Sequence, residues 1–588
     1  MGSPSDESPA DEPGAARQLA RLRAIRQGAA SWGEHGAATP AAVRWGYVAK
    51  AAVFAAGAVV ITALTTPSLN GLGHFGSWWR EPVFFQKTVV WALLFEVLGL
   101  GCSAGPLTQR IRPLIGGVLY WLRPGTMRLP PWPRAVPGTA GTVRSRVDVA
   151  LYAIVLASAV LALCVPVDPG FVVGPWALVP LVVVLALLGL RDKTIFLAAR
   201  AEHYWVLLLV MLFPLPGQLI GAKLVTVLIW WGAALSKVNR HFPAVVAVMM
   251  SNSPLHRVKW LRRRLYREYP RDMRPSWLAA AHAHAGTAVE FGVPLVLLFS
   301  HGVLAWTAVA VMVVFHLNII GMFPMGVPFE WNLMMVFSAV VLFGGHSDLG
   351  LGTPVSPWVL AVVAASALVV VAGNLWPHEV SFLFSMRYYA GNWATSMWCF
   401  RGASEDRVDA EITKVAPSVR QQLIGVHGVE AIDRIAAVQP VFRAMHLQGR
   451  ALNGLLPRAL EGTADYRVLD GEVFANPLLG WNFGDGHLHG EQLLDAVRQR
   501  CRFEPGELRV VVLESQPLHR QRQHYRIVDA ATGLVERGHV AVRDMAERQP
   551  WLSEDEPAIP VQVLESARRH TAVNAPRHRS RPRPRRAP

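Results

Sequence analysis

The stretch QLIGAKLVTVLIWWGAALSKVNRHFP, residues 218–243, joins an apolar run long enough to cross a bilayer to a lysine at its end. An ammonium group in lipid is costly, so Lys237 is either an anchor that reaches the membrane surface or a functional group. At about 100° per residue, Lys223, Trp230 and Lys237 share one stripe of a helix, with His241 one turn further on. Lys223 and Lys237 are about 21 Å apart along the axis. We therefore interpret Lys223 as an outer anchor and keep both interpretations of Lys237 open on spacing alone.

The composition around this stretch predicts a polytopic membrane protein. The 588 residues are 52% hydrophobic and 17% charged, whereas soluble proteins carry about 25% charged residues. We expect an all-α bundle of about ten spans. They are predicted at residues 42–65, 83–104, 148–166, 172–190, 195–213, 218–237, 277–300, 302–321, 331–346 and 355–375.

The net charge of +16 is concentrated in alternate loops and in the last twenty residues. One set of loops is rich in arginine, most densely at 256–275, while the other set contains only Arg80. This asymmetry predicts a multi-pass protein of the cell membrane with both termini in the cytoplasm. Because the membrane explains the charge, the predicted partner is the lipid bilayer and not nucleic acid. The four cysteines form no CxxC pair and predict neither a disulfide framework nor a thiolate metal site.

The chain divides into five predicted parts, of which the membrane domain is the largest. Runs such as LRVVVLES (508–515) and HYRIVDAATGLVERGHVAV (524–542) predict strands in a small α+β C-terminal cytoplasmic domain. The predicted parts are a disordered or amphipathic N-terminal segment (1–40), the membrane domain (41–376), a membrane-proximal linker (377–401), the α+β domain (402–567) and a disordered Arg/Pro-rich tail (568–588).

Ionisable residues inside predicted spans indicate a polar cavity in the membrane. Glu290 should be protonated or paired with a cation such as a lysine. His282 and His284 lie about 200° apart on a helix, so they cannot bind one metal together. His316 and Asn318 add polar groups, as do Glu96, Glu330 and Asn332.

Glu202 and His203 stand at the mouth of an apolar run, beside Tyr204 and Trp205. These residue types by themselves favour an aromatic belt at the membrane interface over a functional site. In the soluble part, GWNFGDGHLHGEQ (480–492) would direct Asp485, His487 and His489 to one face if it were extended, and could then hold a metal. A glycine-rich turn with surface histidines is the favoured alternative.

The segment AALSKVNRHF (233–242) resembles the catalytic-lysine segment of the vitamin K-dependent gamma-carboxylase-like (HTTM) family. The resemblance covers about residues 40–375 and implies that Lys237 acts as a base on a reduced quinone. DKT (192–194) and EHYW (202–205) are similar to the family segment that carries a histidine before an aromatic residue, which His203 matches. The family usually has asparagine before that histidine, whereas this chain has Glu202.

Over its whole length the chain resembles the actinobacterial transmembrane family DUF3556, which implies no function by itself. The similar segments are LLFEVLGLGCSAGPL, YWLRPGTMRLPPWP, MMSNSPL, RYYAGNW and GWNFGDGH.

The gamma-carboxylase-like resemblance implies an integral membrane enzyme, lyase-like, that acts on an isoprenoid or quinone-type lipid. Lys237 would be the general base or acid and His203 would assist it. The predicted cavity lining is Glu202, Trp230, His241, His282, His284, Glu290, His316 and Asn318.

A related possibility is terpene cyclisation of a prenyl diphosphate. Arg262, Arg263 and Arg264 would then hold the diphosphate, and Mg²⁺ could take part. The alternative function is a non-enzymatic lipid transporter or membrane scaffold. The sequence shows no inverted repeat of the kind that transporters carry.

Overall fold

The computed structural model describes most of the chain. The described residues are 13–37, 41–101, 117–168, 170–197, 199–253, 258–322, 329–380, 390–414, 417–418, 421–422, 428, 439–460, 465–480, 485–552 and 558–567. The predicted disordered tail, 568–588, lies outside them.

The membrane part is helical. Its helices are α1 (Pro13–His35), α2 (Ala41–Thr65), α3 (Phe75–Trp78), α4 (Pro82–Val97), α5 (Gly117–Trp121), α6 (Arg146–Cys164), α7 (Pro175–Arg191), α8 (Thr194–Leu197), α9 (Ala201–Val210), α10 (Gly217–Lys237), α11 (Phe242–Met250), α12 (Lys259–Arg263), α13 (Trp277–Phe299), α14 (Gly302–Met322), α15 (Phe329–Ser338) and α16 (Pro357–Leu375). A π-helical segment, Ala339–Gly345, continues α15.

Six of the described helices are long and apolar enough to cross a membrane: α2, α6, α10, α13, α14 and α16. The other four predicted spans contain shorter helices, namely α4, α7, α9 and α15 with its π-helical continuation. The membrane character of the chain is therefore confirmed, and the count of ten spans is not. The reason is length, because α9 has only ten residues and covers about 15 Å.

Helix α10 lies at the centre of the bundle. In its apolar window 83% of the residues are buried, against 22% to 39% in the other five long helices. Exposed tryptophans stand near helix ends, as expected where a helix meets a membrane surface. They are Trp45, Trp260, Trp277 and Trp376 at one end of the bundle and Trp176, Trp306 and Trp358 at the other.

The loops sort into two ends, and the arginine-poor loops meet one another. Ser68 donates a hydrogen bond to the Val167 carbonyl, and the Gly170 amide donates to Glu81. His346 donates to the Arg80 carbonyl. These contacts place three of the arginine-poor loops at one end of the bundle, which we call the arginine-poor end. The other end carries α1 and the C-terminal domain.

At that opposite end, arginines expected to face lipid are instead buried in ion pairs. Arg144 pairs with Asp192 at 2.6 Å and lies on the rings of Tyr120 and Trp121. Arg128 lies 3.6 Å from Asp148. The loop between α5 and α6 is thus held by internal charge pairs.

A six-stranded antiparallel sheet forms the C-terminal domain, with strand order β4-β3-β5-β6-β7-β8. A hairpin, β1 (Tyr266–Glu268) and β2 (Asp272–Pro275), precedes it in the membrane part. The domain contains β3 (Thr395–Arg401), α17 (Ser404–Glu411), α18 (Leu447–Ala459), β4 (Tyr466–Asp470), α19 (Gly471–Leu479), α20 (Glu491–Arg498), β5 (Leu508–Leu513), β6 (Arg522–Asp529), β7 (Gly533–Ala541), α21 (Val542–Glu547) and β8 (Gln562–Ser566).

Strand β3 lies between β4 and β5, although the sequence placed it in the linker before residue 402. Six of its seven residues are buried, so the strand lacks the alternation of polar and apolar residues that identifies a half-exposed strand. The sheet therefore begins at Thr395.

The domain and the bundle share one hydrophobic core. The cluster that contains Tyr120 and Trp121 also contains Trp398 of β3 and Phe474 of α19. Gln492 donates to the Pro130 carbonyl at 2.7 Å across the same boundary. The C-terminal domain is therefore packed into the membrane part and is not a separate appendage.

Helix α1 packs against both the membrane part and the C-terminal domain. Its Ile25, Ala29 and Trp32 are buried, and Arg21 donates to Asn453 of α18 at 2.8 Å. Within the N-terminal segment, which was predicted as disordered or amphipathic, Pro13–His35 is helical and buries Ile25, Ala29 and Trp32 on one side.

Candidate functional site

A buried ion pair joins two of the long helices. Lys237 Nζ at the end of α10 lies 2.5 Å from Glu290 Oε2 of α13, and the two side chains are 9% and 3% exposed. Glu290 lies along α13 about 20 Å from Trp277 and about 14 Å from Phe299. The pair therefore sits well inside the span, and of the two alternatives for Glu290, protonation or pairing with a cation, the structure has the pairing with a lysine.

Helix direction explains why Lys237 is no anchor. Side chains on a helix tilt toward its N-terminus. Helix α10 begins at the arginine-poor end, so Lys223 reaches outward to the His346 and Leu349 carbonyls at 2.7 and 2.6 Å. Lys237 tilts the same way, which at the opposite end of the helix leads back into the membrane. The predicted anchoring role of Lys223 fits these contacts.

Aromatic rings surround the ammonium group. The Phe242 and Phe315 ring centres lie 5.3 and 5.9 Å from Lys237 Nζ. Rings at this distance stabilise a cation when water is absent. Among the described residues, Glu290 is the only hydrogen-bond partner of Lys237 Nζ.

Next to the pair, a chain of hydrogen bonds fixes His316 of α14. Trp230 Nε1 can only donate, and it lies 2.9 Å from His316 Nε2. His316 Nδ1 must therefore carry the proton, which it donates to Asn332 Oδ1 at 2.8 Å. Both ring nitrogens of this buried histidine are occupied. Trp230 and His316 belong to the predicted set, whereas Asn332 was seen as a polar residue without a role.

The first turn of α15 brings several polar groups together. Glu330 lies 2.5 Å from Lys50 of α2. The Trp331 ring packs on His203 of α9, with centres 4.2 Å apart. Sequence reasoning missed Lys50 as a site residue. The signal was the triplet Glu330-Trp331-Asn332, whose two polar members point to different helices because residues two positions apart on a helix lie about 200° apart.

His203 is not brought to Lys237. It is buried between Tyr204 and Trp331, and no contact joins it to Lys237 or Glu290 among the described residues. The interfacial aromatic belt expected here is also wrong, because His203 and Tyr204 are both buried. Glu202 is half-buried.

Two other predicted lining residues face away from the pair. Helix α13 turns Ala279, Ala283, Thr287 and Glu290 inward at helical spacing. His282 and His284 fall outside that stripe and are exposed. Asn318 of α14 is half-buried. His282 and His284 are therefore removed from the predicted lining of the site.

His241 lies beyond the end of α10 and faces the C-terminal domain. Its Nε2 is 3.0 Å from Gln516 Oε1. Burial lowers the pKa of His241 to about 4, so the ring is neutral at pH 7. His241 joins the site to the domain and does not contact the ion pair.

The arginines predicted to hold a headgroup are engaged by α1. Arg263 pairs with Glu34 at 2.9 Å, and Arg262 donates to the Glu34 carbonyl at 3.1 Å. Arg264 lies over the ring of Trp260. Two of the three guanidinium groups are thus bound to Glu34, and the predicted diphosphate site is not formed by this arrangement.

The predicted metal candidates are held in an ion cluster. His487 lies 3.0 Å from both Asp485 and Glu514. Burial by itself would lower the pKa of His487, but Glu514 and Asp485 raise it to about 10. His489 instead bonds Ser396 at 2.7 Å. Residues Gly486–Leu488 form a 3₁₀ turn capped by Asp485, so the two histidines diverge.

No group of three or more metal-binding side chains occurs in the part of the chain that the structure describes. The ring nitrogens of His487 both face carboxylates, so the imidazole is a cation and not a ligand. Of the two interpretations of this segment, the turn is the one found, and its Asp485 and His487 form a charge cluster with Glu514 at the end of β5.

Comparison with known proteins identifies a family without an assigned activity. A family model described as "Transmembrane protein of unknown function" (DUF3556) matches residues 1–564. No curated protein and no solved structure gives a significant match. The chain therefore belongs to the DUF3556 family of transmembrane proteins.

Proposed function

We propose that the protein is an integral membrane enzyme that transfers a proton to or from an isoprenoid or quinone-type lipid. The observation that carries the proposal is the Lys237–Glu290 pair inside the span. Ionisable groups at such depth are expensive to keep, and they are usually functional. A lipidic substrate fits because the surroundings of the pair are apolar and aromatic.

The chemistry is that of a coupled acid and base. Glu290 accepts the proton of a substrate hydroxyl, so that its carboxylate becomes a carboxylic acid and the substrate O–H bond breaks. The oxyanion that forms then pairs with the ammonium of Lys237. Reversal returns the proton. Exclusion of water strengthens each of these electrostatic contacts.

This scheme assigns Lys237 the stabilisation of charge and Glu290 the first proton transfer. A neutral Lys237 amine is the alternative base, and it forms when the ammonium passes its proton to Glu290. Trp230, His316 and Asn332 hold the neighbouring helices in place through hydrogen bonds. His203 contacts Trp331 and would act only through α15.

The proposal includes the topology predicted from charge. Ten passes would be completed by the four shorter helices, and both termini would face the cytoplasm of a cell-membrane protein. The gamma-carboxylase-like core is part of this proposal. Cyclisation of a prenyl diphosphate is the less favoured reaction, because Arg262 and Arg263 are bound to Glu34.

One observation favours a second candidate, a membrane scaffold. The domain and the bundle share one core, which makes a rigid platform. In a scaffold, the Lys237–Glu290 pair would only join α10 to α13. A scaffold should keep its cellular role when both members are replaced by uncharged residues.

The test is expression in a host rich in prenyl and quinone lipids, followed by lipid profiling. Lys237→Met and Glu290→Gln should abolish any compound that depends on the wild-type protein. Lys223→Met is the matched control, because Lys223 is a buried lysine on the same helix that bonds only loop carbonyls among the described residues. His203→Ala tests the role that the resemblance implies for His203. Identical profiles from the wild type and folded Lys237→Met would contradict the proposal.

A further inference from the structure

The turn after α10 is tied together by one asparagine. Asn239 donates to the Ser236 carbonyl, and its Oδ1 accepts from the backbone amides of His241 and Phe242 at 2.7 and 3.2 Å. Phe242 is also one of the rings on the Lys237 ammonium. The segment from Ser236 to Phe242 is therefore one hydrogen-bonded unit that includes Lys237.

A loop of the C-terminal domain binds this segment, Ser236 to Phe242. Gln516, which follows β5, is 2% exposed, and its Nε2 donates to the Arg520 carbonyl at 2.8 Å. Its Oε1 is thereby left as the acceptor for His241 Nε2, which must carry the proton. A buried donor and a buried acceptor satisfy each other at this contact.

The same loop is fixed on its other sides. Asn392 accepts from the Gln516 amide at 2.6 Å and donates to the Gln516 carbonyl at 2.9 Å. The Leu518 amide donates to the Asn374 carbonyl at the end of α16 at 2.8 Å. The loop is thus held within the domain by Asn392 and contacts the ends of two membrane helices, α10 and α16.

We propose that His241 and Gln516 are positioning residues through which the C-terminal domain sets the place of Lys237 beside Glu290. This inference rests on the proposed function of the pair. It assigns the soluble domain a task in the reaction, since the domain holds the end of α10 in register with α13. The domain would then be required for activity even though it contributes no reacting group.

Hydrogen exchange of the backbone amides at residues 238–245, measured on the full-length protein in detergent, tests the inference. Gln516→Leu leaves the His241 N–H buried and unpaired, so exchange should become about tenfold faster. His241→Leu should have the same effect. His241→Gln keeps a donor at the place of Nε2 and should restore slow exchange.

Gln523→Leu is the matched control, because Gln523 is equally buried and bonds the same Asn392, whereas no hydrogen bond joins it to α10 or His241 in the part of the chain that the structure describes. Unchanged exchange in Gln516→Leu, or an equal rise in Gln523→Leu, would overturn the positioning role. If exchange behaves as expected and the lipid products also fall in Gln516→Leu, the inference is supported. If Lys237→Met leaves the lipid profile unchanged, the proposed function fails while the exchange result still stands.

Discussion

Replacing the members of the Lys237–Glu290 pair one at a time should destabilise the protein far more than replacing both. Two unit charges 2.5 Å apart attract by about 7 kcal/mol at an effective dielectric constant of about 20. Removal from water costs several kcal/mol for each ion, so the net contribution of the intact pair is small. The energetic consequence appears when one partner is lost and the other remains buried and unpaired.

We therefore expect Glu290→Gln and Lys237→Met each to lower the free energy of unfolding by about 3–5 kcal/mol. The double variant should lie within about 1 kcal/mol of the wild type, because no unpaired charge remains. The coupling energy between the two sites, the sum of the single effects minus the effect of the double variant, is then at least about 5 kcal/mol. It can be measured by SDS-induced unfolding of the purified protein, followed by intrinsic fluorescence.

Lys223→Met combined with Glu290→Gln is the control. Lys223 bonds carbonyls at the other end of α10, so its effect should add to that of Glu290→Gln within about 0.5 kcal/mol. Additive effects of Lys237→Met and Glu290→Gln would refute the reasoning, since they would show that the two charges do not depend on each other. A stable double variant also provides a folded, uncharged protein for the lipid assay.

Three further predictions concern other contacts. His487→Gln should destabilise the domain by about 3 kcal/mol near pH 6. Because the folded pKa of His487 is raised to about 10, the difference in unfolding free energy from the wild type should shrink as the pH rises from about 6.5 to about 10. Urea unfolding at several pH values would show a constant difference if Glu514 did not bind the ring. Asn332→Leu should cost about 1–3 kcal/mol by leaving His316 Nδ1–H unpaired, and a thermal shift equal to that of an exposed leucine substitution would contradict it. Gly480→Ala should lower the free energy of unfolding by about 2 kcal/mol or more. Residue 480 has φ +78°, and an added Cβ would lie 2.7 Å from the ring of Tyr120. Expression at the wild-type level with unchanged thermal stability would disprove this prediction.

The helical periodicity of the sequence predicted those features that depend on a single helix. The stripe of Lys223, Trp230 and Lys237 follows from helical geometry, and two of its three members share a neighbour. Phe343 of the π-helical segment touches both Lys223 and Trp230. The need of Glu290 for a cation also followed from its depth alone.

Partners between distant elements could not be predicted in this way. Lys237 and Glu290 are 53 residues apart in the chain, and nothing local selects this pairing over one with Lys223. His203 carried the motif of the resemblance, but its distance from Lys237 depends on where α9 packs. The Glu34 contacts of Arg262 and Arg263 depend on how α1 folds back.

In the C-terminal domain, the favoured prediction of a glycine-rich turn at 480–492 agrees with the 3₁₀ turn that Asp485 caps, but His489 is buried and does not lie on the surface. Strand β3 was placed in the linker, because burial on both faces removes the alternation of polar and apolar residues from which a strand is predicted.

The closure of α1 on the C-terminal domain has a consequence for biogenesis. Helix α1 is synthesised first, yet it packs on Phe442 and bonds Asn453, which are made after all the membrane helices. Its apolar side is only partly covered until that part of the chain has left the ribosome. We expect a product truncated before Phe442 to leave part of the face of Ile25, Ala29 and Trp32 uncovered, and exposed apolar surface of this kind makes incomplete chains prone to aggregate.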